Sequence, residues 1–310
     1  MMNKINTEYP MVSIVTINYN GVKVTSELLQ SLRKVTYPNF EVVVVDNASK
    51  ENPDSLKEQF PEIVLVKNKN NLGFAGGNNE GFKAAKGDYF LMLNNDTEVD
   101  PDFLQPLVAR MKIDAKIGAV SPKLIYYGTD NIIQYAGSSI INPYTGRSNF
   151  YGNKQKDDGS YDCCVQTHYA HGAAMMIRRS ITEEIGMMAD LYFLYYEELD
   201  FCERIKKAGY SIWYVGESEV YHKESMTVGK DNPLKTYYMT RNRLVFMRRN
   251  VKGAKLLISL LFFSFFSIPK NSLVFLKRQR FDLLKALYKG YFWNWSNHNI
   301  FDNPKLEKKW

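Results

Sequence analysis

Apolar residues along this chain fall into short runs, each cut off by polar side chains. VSIVTINYN (12–20), EVVVVDN (41–47), IVLVKN (63–68) and YFLMLNND (89–96) are dense in β-branched and large apolar residues. That is the pattern of strands buried on both faces of a parallel sheet. Between the first two, SELLQSLRKV (26–35) sets Leu28, Leu29 and Leu32 at helical spacing, with Ser26 as the expected N-cap. The alternation predicts βαβ units. Each strand stops in polar residues: Asn18 and Asn20, then Asp46 and Asn47, then Asn94, Asn95 and Asp96. Open α/β sheets bind ligands at the carboxyl ends of their strands.

The second half is less regular. PDFLQPLVARMKI (101–113) predicts a helix, GAVSPKLI (118–125) and NIIQYAGSSI (131–140) predict strands, and 142–162 reads as a polar loop. AHGAAMMIRR (170–179) returns to a buried strand, with a short helix from Ser180. EELDFCERIKKAG (197–209) is the clearest helix of this half, with acids in its first turn, Lys206 and Lys207 in its last, and Gly209 as its stop. SIWYVG (211–216) then starts a strand running to Tyr221 and His222.

With 45% apolar residues in 310, the chain has enough material for a substantial core, so disorder is not expected. Cys163, Cys164 and Cys202 form no CxxC pair and are too few for a disulfide framework. A reducing cytosolic setting fits them. The N-terminus enters a strand without a signal-peptide apolar region, so export is not expected.

The net charge of +7 is unevenly placed. Residues 241–289 hold twelve Lys and Arg against the single acid Asp282, a local charge of +11 that leaves −4 elsewhere. These charges bracket LLISLLFFSFFSI (256–268), whose thirteen residues are fewer than the roughly 20 needed to span a bilayer. The expectation is a helix lying on an anionic membrane surface. Nucleic-acid binding is disfavoured, because the basic residues interleave with a long aliphatic run.

Polar strand ends raise the question of a nucleotide. The first strand-to-helix turn, NYNGVKVTSE, has only Gly21, so it lacks the G-x-G-x-x-G needed for close approach to a dinucleotide pyrophosphate. Gly229-Lys230 is followed by Asp231, so no Walker motif exists either. NNLGFAGGNNEG (70–81) is a Gly/Asn-rich loop entering a helix, where Gly73, Gly76 and Gly77 allow close approach of backbone to a ligand or a tight turn. Asn94-Asn95-Asp96 offers oxygen ligands at a sheet edge, and hard divalent cations bind oxygen and share it with substrate phosphates. Asp96 is therefore the first candidate metal ligand.

Taken in order, VSIVTINYN, VVDNAS, NLGFAGGNNEG, LNNDTEV, HGAAMMIRR and YFLYYEELDFCERIKKAGY…VYH resemble the family 2 glycosyltransferases, and within them the rhamnosyltransferase-like branch. The resemblance covers roughly residues 10–250. It implies a GT-A fold, with a mostly parallel, Rossmann-like central sheet flanked by helices and a mainly helical C-terminal extension. Residues 1–105 would form the nucleotide-sugar-binding half, 106–240 the acceptor-binding and catalytic half, and 241–310 the basic extension. It also implies inverting transfer of a sugar, rhamnose being one candidate, from a dTDP- or UDP-sugar to a hydroxyl of a glycan or a polyprenyl-diphosphate-linked acceptor. Such an enzyme would work in bacterial surface polysaccharide synthesis, at the inner face of the cell membrane. A homo-oligomer is compatible with it.

The resemblance assigns Thr16, Asn18, Asn20, Asp46, Asn47, Gly73, Gly77, Asn78, Asn94, Asn95, His171 and Arg241 to the sugar nucleotide. Arg243 shares with Arg241 the expectation of neutralising a diphosphate. Asp96 and His222 would hold Mn²⁺ or Mg²⁺, with Asn-Asn-Asp standing where the family carries Asp-x-Asp. The base falls within Glu197, Glu198 and Asp200. Glu198 takes the position of the family's catalytic Asp, and Glu197 is its substitute. A nucleotidyltransferase, which needs a basic triphosphate loop absent from INYNGVKVTSE, and a catalytically silent sugar-nucleotide scaffold are the rival readings.

Overall fold

The computed structural model describes residues 8–223 and 232–297. A ten-stranded mixed sheet runs through the molecule in the order β3-β2-β1-β4-β9-β6-β10-β5, with β7 beside β6 and β8 beside β10. Its strands are β1 (Val12–Asn18), β2 (Phe40–Asp46), β3 (Val64–Lys67), β4 (Tyr89–Leu93), β5 (Thr97–Val99), β6 (Ile117–Tyr126), β7 (Ile133–Tyr135), β8 (Cys164–Thr167), β9 (Ala174–Arg178) and β10 (Ser211–His222). The first four pair in parallel, as does β6 with β10, while β9 runs antiparallel to both β4 and β6. Parallel pairing is thus confined to those two places.

Alternation along the strands feeds two cores. Val12 and Ile14 of β1 face Leu28, Leu29 and Leu32 of α1 (Val22–Leu32), together with Leu56 of α2 (Asp54–Gln59) and Leu107 of α4 (Leu104–Ile113). Val15 faces the opposite layer, where Phe82 of α3 (Gly73–Ala84), Ile181 of α5 (Arg179–Ile185), Phe201 of α6 (Glu197–Lys207) and Phe246 of α7 (Pro233–Asn250) are buried. Two-sided cover explains why the strands read as unbroken apolar runs.

Ser26 does not cap α1. The helix starts four residues earlier, after Gly21, and Ser26 lies inside it, donating to Gln59 Oε1 at 2.7 Å. The strand expected over 131–140 shrinks to β7, because the chain beyond it is held by isolated bridges to the 147–156 loop. The Gly/Asn loop is mostly helix. A Cβ on Gly81 would come 2.2 Å from Val15 Cγ1 and one on Gly77 2.8 Å from Ile17 Cδ1, so these glycines let α3 sit hard against β1.

The C-terminal region is helical. α8 (Gly253–Phe262), a π-helical segment at Phe263–Ser267 and α9 (Ile268–Lys277) form one unbroken run, followed by α10 (Phe281–Ser296). That run has 25 residues, and an 18-residue window within it has a mean hydropathy of 1.5, so by length and composition it reaches across a bilayer, unlike the thirteen-residue stretch expected. Phe263 and Ile268 are buried against Leu244 of α7 and Leu287 of α10. Leu257, Leu261, Phe265, Phe266, Leu273 and Leu276 of the same run are exposed.

Candidate active site

β4 ends at Leu93, and the next three residues turn the chain into β5. The turn is fixed from three sides. Asn94 N–H donates to Ala173 O at 2.9 Å, Thr97 Oγ1 donates to Asn94 O at 2.7 Å, and Asn95 Nδ2 donates to Thr25 Oγ1 at 3.0 Å. Asn94 and Asn95 therefore set the backbone that presents Asp96. Antiparallel pairing of Thr97 with His222 brings the end of β10 alongside. His222 Nε2 lies 3.2 Å from Asp96 Oδ1, and both side chains are buried.

Gln134 on β7 decides what that pair can bind. Its Oε1 lies 2.8 Å from His222 Nδ1, so the imidazole donates there and its Nε2 is held toward Asp96. The imidazole nitrogen and the carboxylate oxygen are close enough for one cation to be reached by both. Two ligand atoms each ~2.1 Å from one octahedral ion sit roughly 3 Å apart. Carboxylate plus oriented imidazole fits Mn²⁺ better than the harder, oxygen-preferring Mg²⁺, with Gln134 as the outer partner that fixes the ring.

A second acidic cluster does not fit. Asp157, Asp162 and Glu219 have oxygens within 4.8 Å of one another, but Lys123 Nζ already lies 2.6, 2.5 and 2.8 Å from them. The buried ammonium, its pKa raised by the three carboxylates, fills the role of the cation. This cluster ties the 157–162 loop to β6 and β10.

The base candidates separate on inspection of α6. The turn before it carries three non-glycine residues at positive φ, Phe193, Tyr195 and Tyr196, a strained geometry that surrounding contacts must hold. Asn242 Nδ2 donates to the carbonyls of Tyr192, Leu194 and Tyr195, and Arg241 Nη2 to those of Leu191 and Tyr192. Arg241 is buried, with its Nε on Asn242 and its guanidinium against Tyr238 and Trp293. It clamps the turn, with Nη2 engaged by two backbone carbonyls. Asp200 is likewise structural: its carboxylate accepts from Tyr192 Oη, Arg204 Nε, Arg249 Nε and Asn250 Nδ2 at 2.9–3.3 Å. These donors occupy both of its carboxylate oxygens.

Glu197 and Glu198 differ from it. Glu197 is 2% exposed and its Oε2 has no hydrogen-bond partner. Burial first, then the neighbouring Glu198 charge, push its pKa well above the carboxylate range. Glu198 is half-buried and stands over Gly172, where a Cβ would lie 3.4 Å from its Cγ. Burial raises its pKa too. Beside Gly172, the His171 ring centroid is 6.2 Å from that of His222, and burial with the His222 charge lowers the His171 pKa to about 3. Asp96, His222, His171, Gly172 and Glu198 thus form one continuous wall.

At the other strand ends the polar groups are largely engaged with one another. Asn18 Nδ2 donates to Asp46 Oδ1 at 2.8 Å, Ser49 N–H donates to Asp46 Oδ2 at 3.1 Å, and Thr25 Oγ1 donates to Asn18 Oδ1 at 2.9 Å. Asn47 makes four bonds, to Asn68, Asn71, Leu72 and Gly73, and so pins the loop that leads into α3. Asn20, at φ 51°, accepts from Lys50 N–H, and Asn78 Nδ2 donates back to Phe74 O. Gly73, at φ 72°, permits the close approach of Phe193 O. The Thr16 hydroxyl is buried without a partner. Of this set Asp46 retains spare acceptor capacity, each oxygen having a second lone pair.

Gln134, Ser49 and Thr25 were invisible to sequence reasoning. Gln134 meets a residue 88 positions away, and no local motif marks it.

The description of glycosyl transferase family 2 matches residues 13–186, more than half of the chain. The Haloferax volcanii low-salt glycan biosynthesis hexosyltransferase Agl10 is 24% identical over 75% of this chain and 74% of its own length. An N-acetylglucosaminyl-diphospho-decaprenol L-rhamnosyltransferase of Mycobacterium tuberculosis is 22% identical over 70% of this chain and 78% of its own length. The chain spans only 28% of the Sinorhizobium fredii protein y4gI, to which it is 26% identical over 78% of its length. Among solved structures, the mannosyltransferase PcManGT of Pyrobaculum calidifontis, in complex with GDP-Man and Mn²⁺, aligns with TM-score 0.59 and 16% identity over 92% of this chain and 88% of that one. The fold is GT-A, and the chain belongs to glycosyl transferase family 2.

Proposed function

We propose that the protein is an inverting glycosyltransferase that moves a hexose from a nucleoside diphosphate, UDP or dTDP, to a hydroxyl of a lipid-linked glycan acceptor. The observation that carries this reading is the Asp96–His222 pair, 3.2 Å apart with His222 oriented by Gln134, on the same wall as a half-buried glutamate. A divalent cation held by Asp96 and His222 would supply Lewis-acid neutralisation of the departing diphosphate, worth several kcal/mol. Glu198 accepts the proton of the attacking hydroxyl, an effect of ~10²–10⁴ in rate. Its raised pKa suits a base that works near neutral pH. His171 stays neutral and adds no competing charge to the wall. Attack from the face opposite the diphosphate inverts the anomeric centre. Asp46 accepts a hydrogen bond from the base or ribose, positioned by Asn18 and Ser49.

The C-terminal helices bind the inner face of the membrane from the side. One stripe of the 253–277 run is committed to Leu244 and Leu287, which leaves the exposed stripe for lipid and disfavours a span, and basic residues stand at its two ends, Lys252 and Lys255 at one and Lys277 and Arg278 at the other. The decaprenol named for the mycobacterial relative supports the same acceptor class.

Incubation with a panel of UDP- and dTDP-sugars and a polyprenyl-diphosphate glycan tests the reading. Transfer of one sugar with inverted anomeric configuration is expected. Nucleotide binding without transfer across the panel would replace the enzyme with a sugar-nucleotide scaffold. Flotation with liposomes containing anionic lipid is expected, and its failure would remove the membrane arm.

A further inference from the structure

We propose that Arg147 and Arg243 form the diphosphate-binding site of the acceptor, taking the diphosphate of an isoprenoid-linked glycan; this rests on the glycosyltransferase reading above. Arg147 closes a tight turn in which Asn142 N–H donates to Arg147 O at 2.8 Å and Gly146 N–H to Asn142 O at 2.9 Å. The turn is seated on α7: a Cβ on Gly146 would lie 3.1 Å from Arg243 Cγ and 3.0 Å from Met247 Sδ. Tyr196 joins the two parts, since its phenol oxygen accepts from Arg243 Nε at 2.9 Å and its hydroxyl donates to Gly146 O at 3.4 Å. Tyr196 is also the residue immediately before Glu197 and Glu198. The arginine pair therefore adjoins the turn that carries the base.

No carboxylate among the described residues pairs with either guanidinium, and the terminal nitrogens of Arg243 have no hydrogen-bond partner among them. Arg243 is the main cause that lowers the Arg147 pKa, which marks two like charges in proximity. Such an arrangement is unfavourable until an anion joins it, and arginines bind phosphate oxygens in bidentate fashion. What lies beyond the pair selects the anion. Arg243 stands 5.6 Å from the Phe263 ring centroid, at the start of the π-helical segment, next to the exposed, stacked Phe262 and Phe266. Through Tyr196 and Phe263 the contacts run in order from the acids of α6 to the paired cations to the apolar helical run. That order matches a sugar hydroxyl, a diphosphate and an isoprenoid tail.

Calorimetric titration of the full chain with farnesyl diphosphate, farnesol, inorganic pyrophosphate and phosphatidylglycerol vesicles tests the site. Farnesyl diphosphate is expected to bind at least about tenfold more tightly than either farnesol or pyrophosphate, to persist under saturating UDP, and to weaken about tenfold in Arg147→Ala. Arg147 is exposed, so that variant keeps its fold, which its melting temperature verifies; Arg243→Gln supplies the second variant. Unchanged affinity in Arg147→Ala, displacement by UDP, equal affinity for pyrophosphate, or displacement by phosphatidylglycerol would each overturn the proposal. Failure of the wild-type protein to bind UDP or dTDP would instead count against the glycosyltransferase reading.

Discussion

Glu197 and Asp200 occupy one turn of the same helix, both almost fully buried, and their surroundings are opposite. Four donors converge on Asp200, while Glu197 keeps an oxygen with no partner and a pKa pushed upward. The same contrast recurs between two acidic sites: Lys123 fills the Asp157, Asp162 and Glu219 cluster, whereas among the described residues no lysine or arginine pairs with Asp96, whose carboxylate meets His222. Saturated polar groups build the frame. Unsaturated ones, held in place by that frame, are where a substrate or ion completes the arrangement.

The largest expected effect breaks the contrast on its chemical side. Glu198→Gln should lower transfer by ~10²–10⁴ while nucleotide affinity changes little. Wild-type turnover in that variant would remove Glu198 from the base role. Because burial raises the Glu198 pKa, the rising limb of kcat/KM with pH should lie above the range of an ordinary glutamate.

Next comes the frame. Asp200→Asn removes the buried carboxylate shared by Arg204 and Arg249, and loss of one partner from a buried ion pair costs about 3–5 kcal/mol. A clear fall in melting temperature is predicted; an unchanged one would show that Asp200 is not the hub. Gln134→Ala is smaller. Removing the group that orients His222 should weaken Mn²⁺ binding by roughly 10–100-fold, read by titration in the presence of nucleotide.

The smallest effect is a pH dependence of stability. Glu197 has a folded-state pKa above its unfolded value of 4.5, so its contribution is present in full below that value and is lost as pH rises through the folded pKa. Glu197→Gln removes the loss. The variant should melt a few degrees above wild type at alkaline pH, with the gap closing in acid. A gap independent of pH would exclude a protonated Glu197.

The parallel half of the sheet was legible in the sequence because two-sided burial writes itself as unbroken apolar runs such as EVVVVDN. The acidic strand end at Asp96 and the acids of α6 were legible as types out of place, polar groups in or beside apolar segments. What separated Asp200 from Glu198 was not legible, since Arg249 and Asn250 come from a helix some 50 residues later. Nor was the setting of Arg241 legible: a basic residue among aromatics looks alike whether it faces phosphate or the carbonyls of Leu191 and Tyr192. Gln134 left no signal at all.

The central claim is that Asp96 and His222 hold a divalent cation beside the sugar nucleotide. Electron paramagnetic resonance of Mn²⁺ titrated into the protein with saturating UDP or dTDP tests it most directly. One bound Mn²⁺ per chain is predicted for wild type, lost in Asp96→Asn and in His222→Ala. Equal Mn²⁺ binding by the Asp96→Asn/His222→Ala double variant, or none by the wild type, would contradict the account.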